Sequence, residues 1–168
     1  MAKIQIRFLS QKDFISTVIE FVEGGSEFCH VEFVFSKDEQ TALGIAGPYV
    51  GSHSDAGIQA YNDSYYVGGK TITRERNYSL SVTDEQYVTI TSFIKSRIGA
   101  EYDFQDILGI MLHKDWHTAN RFICSAFVIA ALWAGGVQML NVLPGYQYKV
   151  TPESAHLSSL LIGNWCSY

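Results

Sequence analysis

The chain is poor in the residues from which special scaffolds are built. Of 168 residues only three are cysteine and three are proline. The cysteines, Cys29, Cys124 and Cys166, are odd in number and far apart, which excludes a disulfide framework and a paired C-x-x-C metal cluster. Charge is scarce too, with 12 Lys plus Arg against 17 Asp plus Glu and a net charge of −5. No basic run is present, and a phosphate-binding surface needs one, so no nucleic-acid partner is expected. Long apolar runs are also missing. The longest, Phe122 to Val137, is interrupted by Cys124, Ser125 and Gly135-Gly136 and falls short of the ~20 residues that span a bilayer. The amino-terminal MAKIQIRFLSQKDF is broken by Lys3, Arg7, Lys12 and Asp13 before a signal-peptide core can form. The chain therefore reads as cytoplasmic as synthesised, without a transmembrane segment.

What is there is apolar and aromatic. A content of 47% hydrophobic and 14% aromatic residues against 17% charged is too rich for a disordered chain, and the length fits one domain over residues 1–168. Alternation in Ile4-Gln5-Ile6-Arg7-Phe8 predicts a half-buried strand. A helix is expected to follow at once, capped by Ser10, with Phe14, Ile15, Val18, Ile19 and Val22 on one face and a stop at Gly24-Gly25. FCHVEFVF, Phe28 to Phe35, predicts a strand with Cys29, Val31 and Phe33 on one face and His30, Glu32 and Val34 on the other. Glycines, Pro48 and Asn62-Asp63 then punctuate a β-rich middle, with short strands expected around Ala42–Ala46, Gly57–Tyr61 and Lys70–Tyr78. Thr83 with Gln86 forms a capping box, and Val88, Ile90, Phe93, Ile94 and Ile98 predict an amphipathic helix to Gly99. Phe104 to Leu112 reads as a short apolar helix. Ile123 to Ala134 reads as a helix apolar nearly all round and therefore central, closed by Gly135-Gly136. Thr151-Pro152-Glu153 starts the last helix.

Cys124 falls at the amino end of that central helix. Unpaired N–H groups and the helix dipole stabilise a thiolate there, and the same groups can hold an oxyanion. A strand histidine, His30, is the best candidate base, since a rigid strand can hold an imidazole beside a thiol on a packed helix. Composition alone favours a plainer reading, a small buried hydrophobe and a satisfied sheet histidine. The order of the motifs reverses it.

FCHVEFVF, IGAEYDFQDILG, RFICSAFVIAALWAGG and TPESAHL, taken in that order, resemble the circularly permuted branch of the NlpC-like, papain-fold cysteine hydrolases. The resemblance covers residues 28 to about 157. In that branch the histidine strand precedes the cysteine helix, as His30 precedes Cys124 here. The family's strand histidine falls on His30, its nucleophile on Cys124 with Ser125 after it, its Gly-x-x-Tyr-Asp element on Gly99, Tyr102 and Asp103, and its Thr-Pro segment on Thr151-Pro152. The resemblance implies an α+β fold, a small antiparallel sheet packed against the helix that carries the cysteine. The residue that orients the histidine usually lies on the next strand. The strand expected around Ala42–Ala46 offers no carboxylate or amide there, and His53 and Asp55 are expected in the loop beyond it. Glu32, on the His30 face, is preferred over His53 as the third catalytic member; a water or a backbone carbonyl is the alternative. Tyr102 and Ser125 are site-wall or substrate-binding candidates, with a packed tyrosine as the equal reading for Tyr102. Asp103 reads as a helix cap.

Other constellations are weaker. His113 and His117 are spaced i, i+4 but enclose Lys-Asp-Trp, so an exposed pair is expected and not a metal site. Cys29 is assigned to the core and Cys166 to the tail. Tyr61, Tyr65, Tyr66 and Tyr78 are groove candidates, and His156 has no evident partner. The expected function is a cysteine hydrolase of an amide or peptide bond, with no metal or organic cofactor. The first substrate is a peptidoglycan stem peptide, reached through lysis, a secretion system or a virus particle. Two alternatives stand beside it: a lipid acyl hydrolase or acyltransferase on the same Cys-His pair, and a non-catalytic phage or secretion-apparatus module that keeps the fold.

Overall fold

The structure is a computed structural model and describes residues 1–12, 25–66, 71–103, 105, 120–140, 149–161 and 165–167. It is α+β. Six strands, β1 (Ala2–Gln11), β2 (His30–Val34), β3 (Tyr49–His53), β4 (Gly57–Tyr61), β5 (Ile72–Val82) and β6 (Trp165–Ser167), form a sheet in the order β4-β3-β2-β1-β5-β6. Every neighbouring pair runs antiparallel. The helices described are α1 (Lys37–Leu43), α2 (Asp84–Arg97), α3 (Cys124–Ala134) and α4 (Pro152–Leu161), with a 3₁₀ turn over Asp63–Tyr66.

Strand β1 is the spine, paired with β2 on one side and β5 on the other. Its period-2 pattern sends Ile4, Ile6 and Phe8 into the main core, where Val31, Phe33, Val50, Leu80 and helix residues Ile90, Ile94, Phe127 and Leu132 meet them. Full burial of each such side chain is worth about 1.5–3 kcal/mol, and Phe33 and Phe127, ring centroids 5.8 Å apart and edge to face, add an aromatic contact across the sheet–helix junction. The alternate residues of β1 and β2 bring Arg7 opposite Glu32 and Leu9 opposite His30.

Helix α3 has almost no polar face, and eight of its residues, Cys124 to Ile129 with Ala131 and Leu132, are buried. It packs on β2, β3 and α2, as a helix apolar all round must. Helix α2 starts with the expected capping box, Thr83 accepting from Gln86 N while Gln86 accepts from Thr83 N. Its buried face is Ile90, Thr91 and Ile94; Val88 is exposed, and Ile98 is exposed and lies past the last helical residue.

Several expectations are corrected. Ser10 and Gln11 continue β1, because Ser10 and Gln11 still pair with Arg74 and Ile72 of a long β5; the helix expected next falls on 13–24, outside the described residues. Around Ala42–Ala46 no strand forms. Ser36, Glu39 and Gly44 instead build α1: Ser36 and Glu39 make a full capping box, and Gly44 closes the helix with a left-handed φ of 69°. The strand that follows β2 is β3, and it carries His53 as its last residue, not in a loop. The third expected strand of the middle runs on to Val82. The Phe104–Leu112 helix and the His113/His117 pair lie outside the described residues, Gln105 apart.

Gly99 to Tyr102 lie alongside β4. Ile58 N donates to Ala100 O at 2.9 Å and Gly99 N donates to Ile58 O at 2.8 Å. Gly57 allows this approach, since its φ is 67° and a Cβ there would stand 2.2 Å from Ala100 O. Among the described residues no helix is long and apolar enough to cross a membrane.

Candidate active site

Five elements, β1, β2, β3, the 3₁₀ turn and α3, converge on one buried cluster. Helix α3 begins at Cys124, with Ile123 as an extended N-cap (φ −75°, ψ 165°) and no side-chain cap on its first turn. The segment entering it is pinned. Ser52 Oγ of β3 donates to Phe122 O at 2.6 Å, and Phe122 N donates to Glu101 O at 3.3 Å. The Cys124 thiol, 2% exposed, points at the Cys29 carbonyl at 4.0 Å, one residue before His30. It also lies against the His30 imidazole, with which it interacts by charge and hydrogen bonding.

Behind the imidazole stands Glu32, fully buried. Its Oε2 is 3.4 Å from His30 Nε2, 3.5 Å from His53 Nε2 and 2.5 Å from the Tyr66 hydroxyl, which donates to it. Its other oxygen is 3.4 Å from Arg7 Nη1. Arg7 in turn pairs with Glu75 at 3.1 Å and lies 4.2 Å from the centroid of Tyr49 and 5.3 Å from that of Tyr66. Gly51 of β3 makes room for this cluster. A Cβ there would meet Glu32 Cβ at 2.9 Å and His30 Nε2 at 3.3 Å.

The charges reinforce one another. Burial alone lowers the affinity of His30 for its proton, but charge and hydrogen bonding from Cys124 and Glu32 outweigh it and lift the imidazole to about 9. Burial alone raises the Glu32 carboxyl, yet hydrogen bonds and charge from His30 and His53 hold it at about 2. Beside Glu32 the buried Tyr66 phenol is pushed well above its usual range, so it stays a donor. His53 extends the cluster outward: its ring centroid is 4.2 Å from that of His30, 4.3 Å from Tyr61 and 4.5 Å from Tyr65.

The structure thus brings together Cys124, His30 and Glu32, and adds His53 on the neighbouring strand. Tyr102 is buried against Ile123 and Ala126, beside the start of α3, and bridges to Phe122. Ser125 is buried and its hydroxyl donates to the Val150 carbonyl, tying α3 to the segment before α4. Asp103 is buried as well, and the helix it would cap lies outside the described residues. Cys29 is core, its thiol donating to Leu9 O at 3.5 Å. The backbone of Cys166 belongs to β6, opposite Ser79. Tyr78 is apart from the other tyrosines and meets His156, hydroxyl to Nε2, at 2.9 Å.

The sequence singles out neither Arg7 nor Gly51 for the site, and Tyr66 only as one of four groove tyrosines. Arg7 had a signal, a cation in an alternating strand at the same polar parity as Gln5, but its partner depended on the β1–β2 register. Comparison with protein-family models and with curated protein sequences returns no match.

Proposed function

We propose that the chain is a cysteine hydrolase of the circularly permuted NlpC-like, papain-fold type, acting on an amide bond. The observation that carries this reading is the convergence of three groups: a thiol at an uncapped helix start, an imidazole on which it acts by charge and hydrogen bonding, and a buried carboxylate 3.4 Å from the Nε2 of that imidazole. The chain order, histidine strand before cysteine helix, and the antiparallel sheet packed on that helix support the family assignment.

In this mechanism Glu32 holds the His30 ring through Nε2, which leaves Nδ1 to take the Cys124 proton. The thiolate attacks the substrate carbonyl carbon, and the first N–H groups of α3 hold the oxyanion. Collapse of the tetrahedral adduct breaks the C–N bond as His30 returns the proton to the leaving amine. Water, deprotonated by His30, then attacks the thioester and releases the acid, restoring the thiol.

The neighbouring wall favours a peptide over an acyl chain. The groups around the cluster, Arg7, His53, Glu75 and Tyr61, Tyr65 and Tyr66, are polar or aromatic, where an acyl channel needs Leu, Ile and Phe. A peptidoglycan stem peptide is the first substrate to try. An imidazole packed against the thiol and held by a carboxylate also argues against a fold kept without its chemistry.

The test is iodoacetamide reactivity of Cys124 from pH 5 to 9 in the intact protein, in His30→Ala and in Cys124→Ala as blank. Near pH 6 the intact protein is expected to alkylate at least about tenfold faster than His30→Ala. A rate no faster than a free thiol, with a profile indifferent to His30, would overturn the hydrolase reading.

A further inference from the structure

The His30, Glu32 and His53 side chains present two imidazole nitrogens and one carboxylate oxygen, all buried and all within 4.8 Å of one another. Their spacing is informative. The two Nε2 atoms stand 3.4 and 3.5 Å from the same oxygen, Glu32 Oε2, beyond the 2.7–3.2 Å of an N–H···O hydrogen bond. His30 Nε2, on a side chain 91% buried, makes no hydrogen bond of regular geometry. A tetrahedral ion with bonds of about 2.0–2.1 Å to nitrogen and oxygen separates its ligand atoms by about 3.3–3.4 Å. The two nitrogen-to-oxygen distances are close to that spacing, and the two nitrogens lie within 4.8 Å of each other. Gly51 keeps the space beside His30 Nε2 clear, since a Cβ there would lie 3.3 Å from it.

The surroundings of the carboxylate also suit a metal ligand. Tyr66 donates to the same Oε2, and ligating carboxylates are held this way by a second layer of hydrogen bonds. Arg7 takes the other oxygen at 3.4 Å. Its charge opposes a cation, and the Arg7–Glu75 pair at 3.1 Å offsets part of that opposition. We propose that His30, Glu32 and His53 form a site for a borderline-soft divalent ion such as Zn²⁺, three protein ligands with a fourth position open. Cys124 is not a ligand: it faces the imidazole and the Cys29 carbonyl, outside the group of mutually close donors.

A consequence rests on the hydrolase reading above. An ion on Nε2 leaves His30 with its remaining proton on Nδ1, so the imidazole cannot accept the thiol proton. Zn²⁺ would then act as a reversible inhibitor of the thiol, the carboxylate that orients the base also holding its blocker.

The experiment uses the full chain carrying His113→Ala and His117→Ala, so that the i, i+4 pair cannot bind the ion. Zn²⁺ is titrated while the imidazole nitrogens are followed by NMR. At one equivalent the Nε2 signals of His30 and His53 are expected to shift together and that of His156 to stay. Calorimetry should give one site, weakened at least about tenfold in Tyr66→Phe and about 100-fold in His53→Ala, and kept in Cys124→Ser. No joint shift at one equivalent overturns the proposal, and so does loss of binding in Cys124→Ser, which places the ion on the thiolate. The NMR readout needs no variant of the site itself. Alkylation kinetics separate the two readings. Measured in the metal-free protein, an unreactive Cys124 in a chain that still binds Zn²⁺ removes the hydrolase and leaves the metal site; a reactive Cys124 in a chain that does not bind Zn²⁺ does the reverse.

Discussion

Glu32 is a carboxylate with no water around it, and it is tolerable only because four groups share its charge. Arg7, His30, His53 and Tyr66 all face it within 3.5 Å. Glu32→Gln keeps the volume and removes the charge that Arg7 and His30 are built around. It is expected to destabilise by about 3–5 kcal/mol in urea unfolding, since breaking one side of a buried ion pair leaves the other uncompensated. Cys124 alkylation should slow in the same variant. Gly51 gives a second, steric handle. Gly51→Ala forces a Cβ to within 2.9 Å of Glu32 Cβ, where overpacking costs about 1–3 kcal/mol. A Gly51→Ala protein as stable and as thiol-reactive as the parent would show that the cluster is looser than drawn.

Between neighbouring elements, the position of the Cys124 thiol depends on what holds the start of α3. Ile123 supplies no side-chain cap, so the helix entrance is fixed from outside, by Ser52 Oγ on Phe122 O and by Ser125 Oγ on Val150 O. Ser52→Ala removes a bond from a fully buried hydroxyl and is expected to cost about 1–2 kcal/mol. It should also slow Cys124 alkylation, because the helix end is then free to shift. Thr83→Ala is the comparison: it removes the cap of α2, costs about 1 kcal/mol, and leaves alkylation unchanged. Equal effects of the two variants on the thiol would contradict this division of labour.

Across the molecule as a whole, α4 is joined to the sheet through a buried histidine that is not part of the site. His156 packs on Phe8 and Phe28, meets the Tyr78 hydroxyl at 2.9 Å, and has Glu153 3.8 Å from Nδ1, with Glu27 and Arg76 as its other charged neighbours. Burial holds its proton affinity below the ordinary histidine value, against the pull of Glu153 and Glu27. In the window below about 6.5 the unfolded chain therefore binds more protons than the folded one, and stability falls as pH falls, by at most about 1.4 kcal/mol per pH unit for one proton. His156→Gln is expected to remove that part of the slope when urea midpoints at pH 7.5 and 5.5 are compared. An unchanged slope would mean that His156 is charged in the folded protein.

The α+β class with an antiparallel sheet was expected from the family resemblance, whereas the β1 alternation, the Thr83 capping box and the apolar α3 with Cys124 at its start were all legible, because each follows from the period or the caps of a short stretch of chain. So were His30 and Glu32 as a pair on one strand face, since residues two apart on a strand must share a side. Where the reading failed, a local signal was outweighed or misweighed. Ser10 looked like a cap but was drawn into β1 by a long partner strand, and the glycines after Leu43 hid a helix whose own caps, Ser36 and Gly44, were in plain sight. His53, Gly51, Tyr66 and Arg7 reach Glu32 only through the pairing of β1, β2 and β3 and the 3₁₀ turn that follows β4. Pairing register and that turn join residues about 20 to 35 positions apart, and no periodicity within a single segment encodes them. The chain's local patterns determined most of its elements and, with the order of its motifs, put Cys124 and His30 forward as candidate nucleophile and base. Only the folded sheet decided that a second histidine would stand on the same carboxylate, the juxtaposition on which the proposed metal site rests.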